Sequence, residues 1–97
     1  MCKSEIFAEL LDAVAKETEI SKELILSECK KSDVVDARSI LVKLLSDKGF
    51  YPTQIAEMMN KKYHTIKKIL KCYPVRELNC KMLSTYLERI NNHMLTN

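Results

Sequence analysis

This 97-residue chain has one glycine, Gly49, and two prolines, Pro52 and Pro74, which leave few tight turns. A β-fold needs many more reversals than these residues support. Aromatic residues make up 6% and tryptophan is absent, whereas Leu, Ile, Met, Lys and Glu abound, a balance that favours helix when summed along the chain. The length and the 46% hydrophobic content suit one helical core and not two. The expectation is an all-α fold, a compact bundle of about six helices, with residues 1–97 as a single domain.

Helical periodicity and end signals divide the chain. Ser4 is placed to cap a first helix that carries Ile6, Phe7, Leu10, Leu11 and Val14 on one face. After a break near Glu19, Ser21 is a good N-cap, and Ile20 and Ile25 stand at the two positions of a hydrophobic staple. A short second helix is therefore expected from Lys22 to about Glu28, followed by a basic loop, Cys29-Lys30-Lys31-Ser32. Ser32 is expected to cap a longer third helix, with Asp33 at its positive end and Val34, Ala37, Leu41, Leu44 and Leu45 on its apolar face. Gly49 suits the left-handed residue that ends it. Pro52 suits the first position of a fourth, short helix that turns Ile55, Ala56 and Met59 inward. A fifth is expected from Tyr63 to Cys72, burying Ile66, Ile69 and Leu70 and blocked by Pro74. The last, from Val75 to about Met94, carries Leu78, Met82, Leu83, Tyr86, Leu87, Ile90 and Met94.

Several function classes have no support in this sequence. Cys2, Cys29, Cys72 and Cys80 are scattered without a CxxC pair, and only two histidines accompany them, so no zinc-ligand spacing or disulfide framework is recognisable. Four free thiols in a reducing cytoplasm are expected. No stretch approaches the roughly 18 apolar residues of a membrane span, and no charged segment followed by an apolar run opens the chain. There is no nucleophile elbow, phosphate loop or paired-carboxylate setting, and Asp33 with Asp36 reads as helix-start charge. Neither enzymatic activity nor a cofactor is expected.

The formal net charge of +3 is small, but it is unevenly spread. Met1 to Glu28 holds three lysines against seven acidic residues, whereas Cys29 to Asn97 holds thirteen basic against six acidic. The densest basic stretch is Lys61, Lys62, Lys67, Lys68, Lys71, Arg76 and Lys81 against Glu77 alone. This positive field overlaps the most specific constellation in the chain, Ile55-Ala56, Met59-Asn60, Thr65-Ile66 and Leu70. That spacing fits two short helices crossing through a tight turn, a helix-turn-helix from about Pro52 to Leu70. Ala56 is small at the closest approach, Ile55, Met59, Ile66 and Leu70 fill the wedge, and Asn60 tolerates the positive φ of the turn.

Such a motif presents Lys61, Lys62, Tyr63, His64, Thr65, Lys67 and Lys68 on the exposed half of its second helix, a face suited to the major groove of duplex DNA. His64 can donate or accept at a base edge, Thr65 can hydrogen-bond or set its methyl beside a thymine methyl, and the lysines can meet phosphates or guanine acceptors. Tyr63 either stacks on sugar or base or covers the wedge. Lys30, Lys31, Ser32 and Arg38 offer a second contact, to phosphate or the minor groove, although an arginine beside a buried stripe also serves simply to cover core.

At these residues the chain resembles the C-terminal DNA-binding domain (domain IV) of the bacterial chromosomal replication initiator DnaA, a TrpR-like helix-turn-helix. The resemblance runs through Val14-Ala15, Ile20, Ile25-Leu26-Ser27, Lys30-Lys31-Ser32, Val35-Asp36-Ala37-Arg38, Ile55, His64-Thr65 and a last helix from Asn79 to Met94. It implies monomeric binding to short duplex sites, with Lys62, His64 and Thr65 in the recognition helix and Lys30, Lys31, Ser32 and Arg38 in the loop and flanking helix. Two departures touch the reading surface. Where the family has two glycines, a basic residue and an acidic or amide residue before His-Thr-Thr, this chain has Asn60-Lys61-Lys62-Tyr63, and Ile66 replaces the second threonine. No GxxxxGK[ST] of an ATP-binding module is present.

The leading expectation is sequence-preferring double-stranded DNA binding in the cytoplasm of a bacterium or phage host, as monomer or weak dimer. Its setting is replication initiation, its regulation, or transcription, alongside a separate protein of that process. The alternative is a helical protein-interaction or homo-oligomerisation module that has lost DNA readout, using the acidic first helix and the Met and Leu stripe of the last.

Overall fold

The computed structural model describes residues 3–79 and 81–95 and contains six helices. They are α1 (Lys3–Thr18), α2 (Lys22–Leu26), α3 (Ser32–Asp47), α4 (Pro52–Met59), α5 (Tyr63–Asn79) and α6 (Lys81–Leu95). Cys2 and Cys80 of the expected thiols, and the side chains of Lys81 and Met94, lie outside the described residues.

The helix ends follow local chemistry. Ser21 Oγ accepts from the Leu24 amide and opens α2, and Ile20 and Ile25 both face the core. Glu19, in the break after α1, adopts φ 59, a conformation uncommon for a side chain of this kind. Gly49 closes α3 at φ 96. Its amide donates to Ser46 O at 3.0 Å, the Phe50 amide donates to Leu45 O at 3.1 Å, and Phe50 is buried. These are the two bonds and the apolar contact of a Schellman termination.

Four expected boundaries shift. Helical backbone is already present at Lys3, so Ser4 lies within the first turn of α1. The second helix stops at Leu26 and not near Glu28, because the Ser27 amide and hydroxyl both donate to Leu24 O. The cap of α3 is Lys31, whose carbonyl accepts the first helical bond from Val35 N at 2.9 Å. Ser32 is thus the first residue of α3, and Asp33 Oδ1 takes the Val34 amide at 2.9 Å.

The largest shift is at Pro74, which does not end α5. Proline removes one i→i−4 bond and crowds the carbonyl one turn back, at a cost of about 3 kcal/mol. Tertiary contacts on both sides hold the helix across it. Tyr73 is buried immediately before, and Arg76 Nη1 pairs with Asp36 Oδ1 on α3 at 2.7 Å immediately after. Residues 75–79 consequently belong to α5, and Leu78, expected on the inner stripe of the last helix, is 84% exposed. Met82 is also exposed. The inner face of α6 is formed by buried Leu83 and Ile90 with half-buried Tyr86 and Leu87.

Helix α3 packs against each of the other five. Its expected apolar face is buried, but so are Ile40, Val42, Arg38 and Ser39. A helix surrounded on most sides buries residues that a one-sided amphipathic pattern assigns to the surface. The Ser39 hydroxyl meets this burial by donating to Val35 O at 2.8 Å. Tyr73 was not among the expected core residues, yet it is 2% exposed. Burial, and beside it the Glu77 carboxylate, push its phenol above the ordinary range. No helix of the described residues is long and apolar enough to cross a membrane.

Pro74→Ala is expected to stabilise the fold by about 1–3 kcal/mol, because Pro74 is exposed, its ring leaves and the amide to Leu70 O becomes available. Thermal unfolding measures this; an unchanged or lowered midpoint would contradict a helix continuous through residue 74.

Candidate nucleic-acid interface

Helices α4 and α5 pack against each other across a three-residue connection, Asn60 to Lys62. Pro52 stands at the start of α4, and Gln54 Oε1 accepts from the Tyr51 amide at 2.9 Å. Ile55, Ala56 and Met59 point into the core. Asn60 adopts φ 55, ψ 45, and the left-handed turn lets the Lys61 amide reach Ala56 O at 2.9 Å. The Thr65 and Ile66 amides then both donate to Lys62 O, opening α5. Ile66 is fully buried, while Ile69 and Leu70 are half-buried against the core. The small residue, the wedge residues Ile55, Met59 and Ile66, and the left-handed asparagine therefore stand where their spacing placed them, whereas Ile69 and Leu70, expected to be buried, are only partly so.

The outward face of this unit holds Lys62, Tyr63, His64, Thr65, Lys67 and Lys68, all exposed. Tyr63 contacts its neighbours on this face. It is 40% exposed, its ring meets His64 edge-on with centroids 5.9 Å apart, and Lys67 Nζ lies 5.5 Å from its centroid. Aromatic and cation–π contacts of this kind restrain side chains at modest energy, so Tyr63 orders the two polar groups on either side of it.

Two residues expected on the contact surface lie beneath it. Arg38 is 8% exposed. Its Nε donates to Ile25 O at 2.8 Å, and its Nη2 donates to Ser27 O at 2.7 Å, Cys29 O at 3.1 Å and Leu24 O at 3.4 Å. The guanidinium thus takes up the carbonyls left at the end of α2 and in the loop after it. Lys61 has a side chain only 6% exposed, with Nζ 2.7 Å from Ser27 O and 3.0 Å from Glu28 Oε1. It fastens the α4–α5 turn to the α2–α3 loop. Arg38 and Lys61 accordingly position the surface, and Lys30, Lys31 and Ser32, all exposed, present it.

Between α3 and the outward side of α5 lies a cleft of about 780 Å³, closed at one end by this loop and turn. Lys30, Arg38, Lys61, Lys62, Lys68 and Arg76 line it against one carboxylate, Glu28. The Lys61 ammonium holds that carboxyl below its ordinary value. Val35 and Ser39 form the α3 wall, and Thr65, Ile69 and Cys72 the α5 wall. Arg76 was counted only as part of a basic stretch. Thr65, Lys68, Cys72 and Arg76 recur at helical spacing, a signal hidden by ending the helix at Cys72. Cys29 and Cys72 are free thiols. Among the described residues no cluster of His, Cys, Asp and Glu is arranged to hold a metal ion.

No protein-family model, curated protein or solved structure matches the chain.

Arg38→Met keeps much of the apolar stem and deletes the donors to Ile25, Ser27 and Cys29 carbonyls. A loss of about 2–4 kcal/mol is expected, since bonds to a charged group are worth more than neutral ones and buried acceptors are left unpaired. Chemical denaturation reads it; wild-type stability would show that the carbonyls find other donors.

Proposed function

We propose that the chain binds double-stranded DNA, with the first half of α5 in the major groove and the α2–α3 loop on the adjoining backbone and minor groove. The observation that carries this reading is that Lys30 of the α2–α3 loop and Lys62, Thr65 and Lys68 of the α4–α5 unit line one cleft, whose supports Arg38 and Lys61 are internally bonded. A cationic surface whose backbone is held in place by internal bonds suits a phosphate backbone, because the loop and the turn need no rearrangement on binding. Lys62, His64 and Thr65 supply base-edge chemistry, each good contact being worth about 1–3 kcal/mol of discrimination. Lys30, Lys31, Lys67 and Lys68 supply phosphate contacts.

The resemblance to the DnaA C-terminal domain supports the same reading and favours replication initiation, its regulation, or transcription as the setting. Tyr63 and Ile66 replace polar residues of that family's reading helix. Ile66 is fully buried, so its change bears on packing, whereas exposed Tyr63 changes the surface offered to a groove. The preferred site is therefore this chain's own.

A second reading rests on a different observation. Val75, Leu78 and Met82 are large apolar side chains exposed at the junction of α5 and α6, and exposed apolar groups mark protein contacts when contiguous. Light scattering across protein concentration tests the self-association form of this reading; a constant monomer mass would count against it.

Titration of a labelled random duplex pool tests the main proposal. With Lys30, Lys31, Lys67 and Lys68 at phosphates, log K is expected to fall against log salt with a slope of about −3.6. The double variant Lys62→Ala, His64→Ala is expected to lose selection of a preferred site from the pool, keeping the weaker phosphate-driven binding, without moving the thermal midpoint, because both side chains are exposed. Absence of binding by the wild-type chain even at low salt would sink the proposal.

A further inference from the structure

Glu28 is the one carboxylate among the residues lining an otherwise cationic cleft, and its side chain is 90% exposed. Its Oε1 accepts from Lys61 Nζ at 3.0 Å. The ammonium itself cannot move away freely: its side chain is 6% exposed and a second donor is fixed on Ser27 O at 2.7 Å. The Lys61 ammonium thus meets the cleft beside the exposed Glu28 carboxylate. A carboxylate and a phosphate offer a cation similar acceptor oxygens and the same sign of charge.

We propose that Glu28 occupies the anion position at Lys61 that a backbone phosphate takes on binding, and so acts as a specificity-determining residue that restrains sequence-independent association. This rests on the reading of the cleft as a duplex-binding surface. A phosphate that reaches Lys61 exchanges one anion for another, so the pair adds no net neutralised phosphate and no released counterion. An unpaired lysine at the same place adds one of each. Sequence-independent binding depends almost wholly on such contacts, whereas the base-reading part depends on Lys62, His64 and Thr65. Glu28 therefore weakens indiscriminate binding more than site-directed binding. Glu28→Gln keeps a side-chain oxygen that can accept from Lys61, so it removes the charge and leaves the packed structure intact.

The test uses anisotropy titrations of a labelled random-sequence duplex with the full chain, from about 50 to about 200 mM salt. Glu28→Gln is compared with wild type, with Glu28→Asp, which keeps the charge, and with Glu23→Gln, which removes the same charge from an exposed position of α2 outside the cleft. Glu28→Gln is expected to bind more tightly than wild type and than Glu23→Gln at low salt, with a slope steeper by about 0.9, so that its advantage falls about threefold across the range. Glu28→Asp is expected to keep the wild-type slope, and all three variants the wild-type melting midpoint. If wild type binds but Glu28→Gln cannot be told from Glu23→Gln in slope and affinity, the inference is overturned and duplex binding stands. If wild type binds no duplex even at low salt, duplex binding fails and takes the inference with it.

Discussion

The carbonyl oxygen of Ser27 accepts hydrogen bonds from two cations, Arg38 Nη2 and Lys61 Nζ, each at 2.7 Å. A carbonyl has two lone pairs, and here charged donors take both. One donor comes from the central helix α3, the other from the turn between α4 and α5. The loop that carries Lys30 and Lys31 is consequently held from the core side and from the neighbouring motif at once. Neither cation is on the outer surface, yet the loop that carries Lys30 and Lys31 and the turn that leads into Lys62 are joined through them. Charged bonds in a setting of low polarity are stronger than the same bonds in water, and leaving such groups unpaired is correspondingly costly.

That junction explains how Lys30 and Lys62, more than thirty residues apart in the chain, come to line one cleft. Helix α3 runs through the middle of the bundle and contacts every other helix, so displacement of the loop or of the turn has to be accommodated by the core. Asn60 adds a local constraint: its left-handed backbone sets the angle between α4 and α5 and brings Lys61 to the loop. The apolar wedge of Ile55, Met59 and Ile66 keeps that angle. Packing, turn and charged junction thus reinforce the same geometry, and consistency of this sort is what gives a sequence one structure.

Much of this was legible from residue spacing. The staple around Ser21, the Gly49 termination, the start of α4 at Pro52, and the Ala56, Asn60 and Ile66 positions all follow from local rules that need only neighbouring residues. Pro74 misled because its local penalty is real but smaller than the contacts of Tyr73 and Arg76 on either side. Tyr73, Arg76 and the exposure of Leu78 were lost with that helix boundary. Arg38 and Lys61 misled differently. Lys61, in a basic stretch, reads as surface, and Arg38, beside a buried stripe, reads either as a contact or as a cover of core; the carbonyls that each one satisfies become visible only when distant segments are brought close.

The sequence by itself determined that the chain is helical and where most helices begin, because caps, turns and apolar period act over a few residues. It also placed a cationic, polar face on the first half of α5. Only the tertiary structure decided which cations face outward and which are internal, since that depends on carbonyls contributed by segments distant in the chain. It decided too that α5 continues past proline to bring Arg76 to Asp36, and that one carboxylate, Glu28, stands within a basic cleft. Long-range partners, not residue type, divide the basic residues into those that present the surface and those that build it.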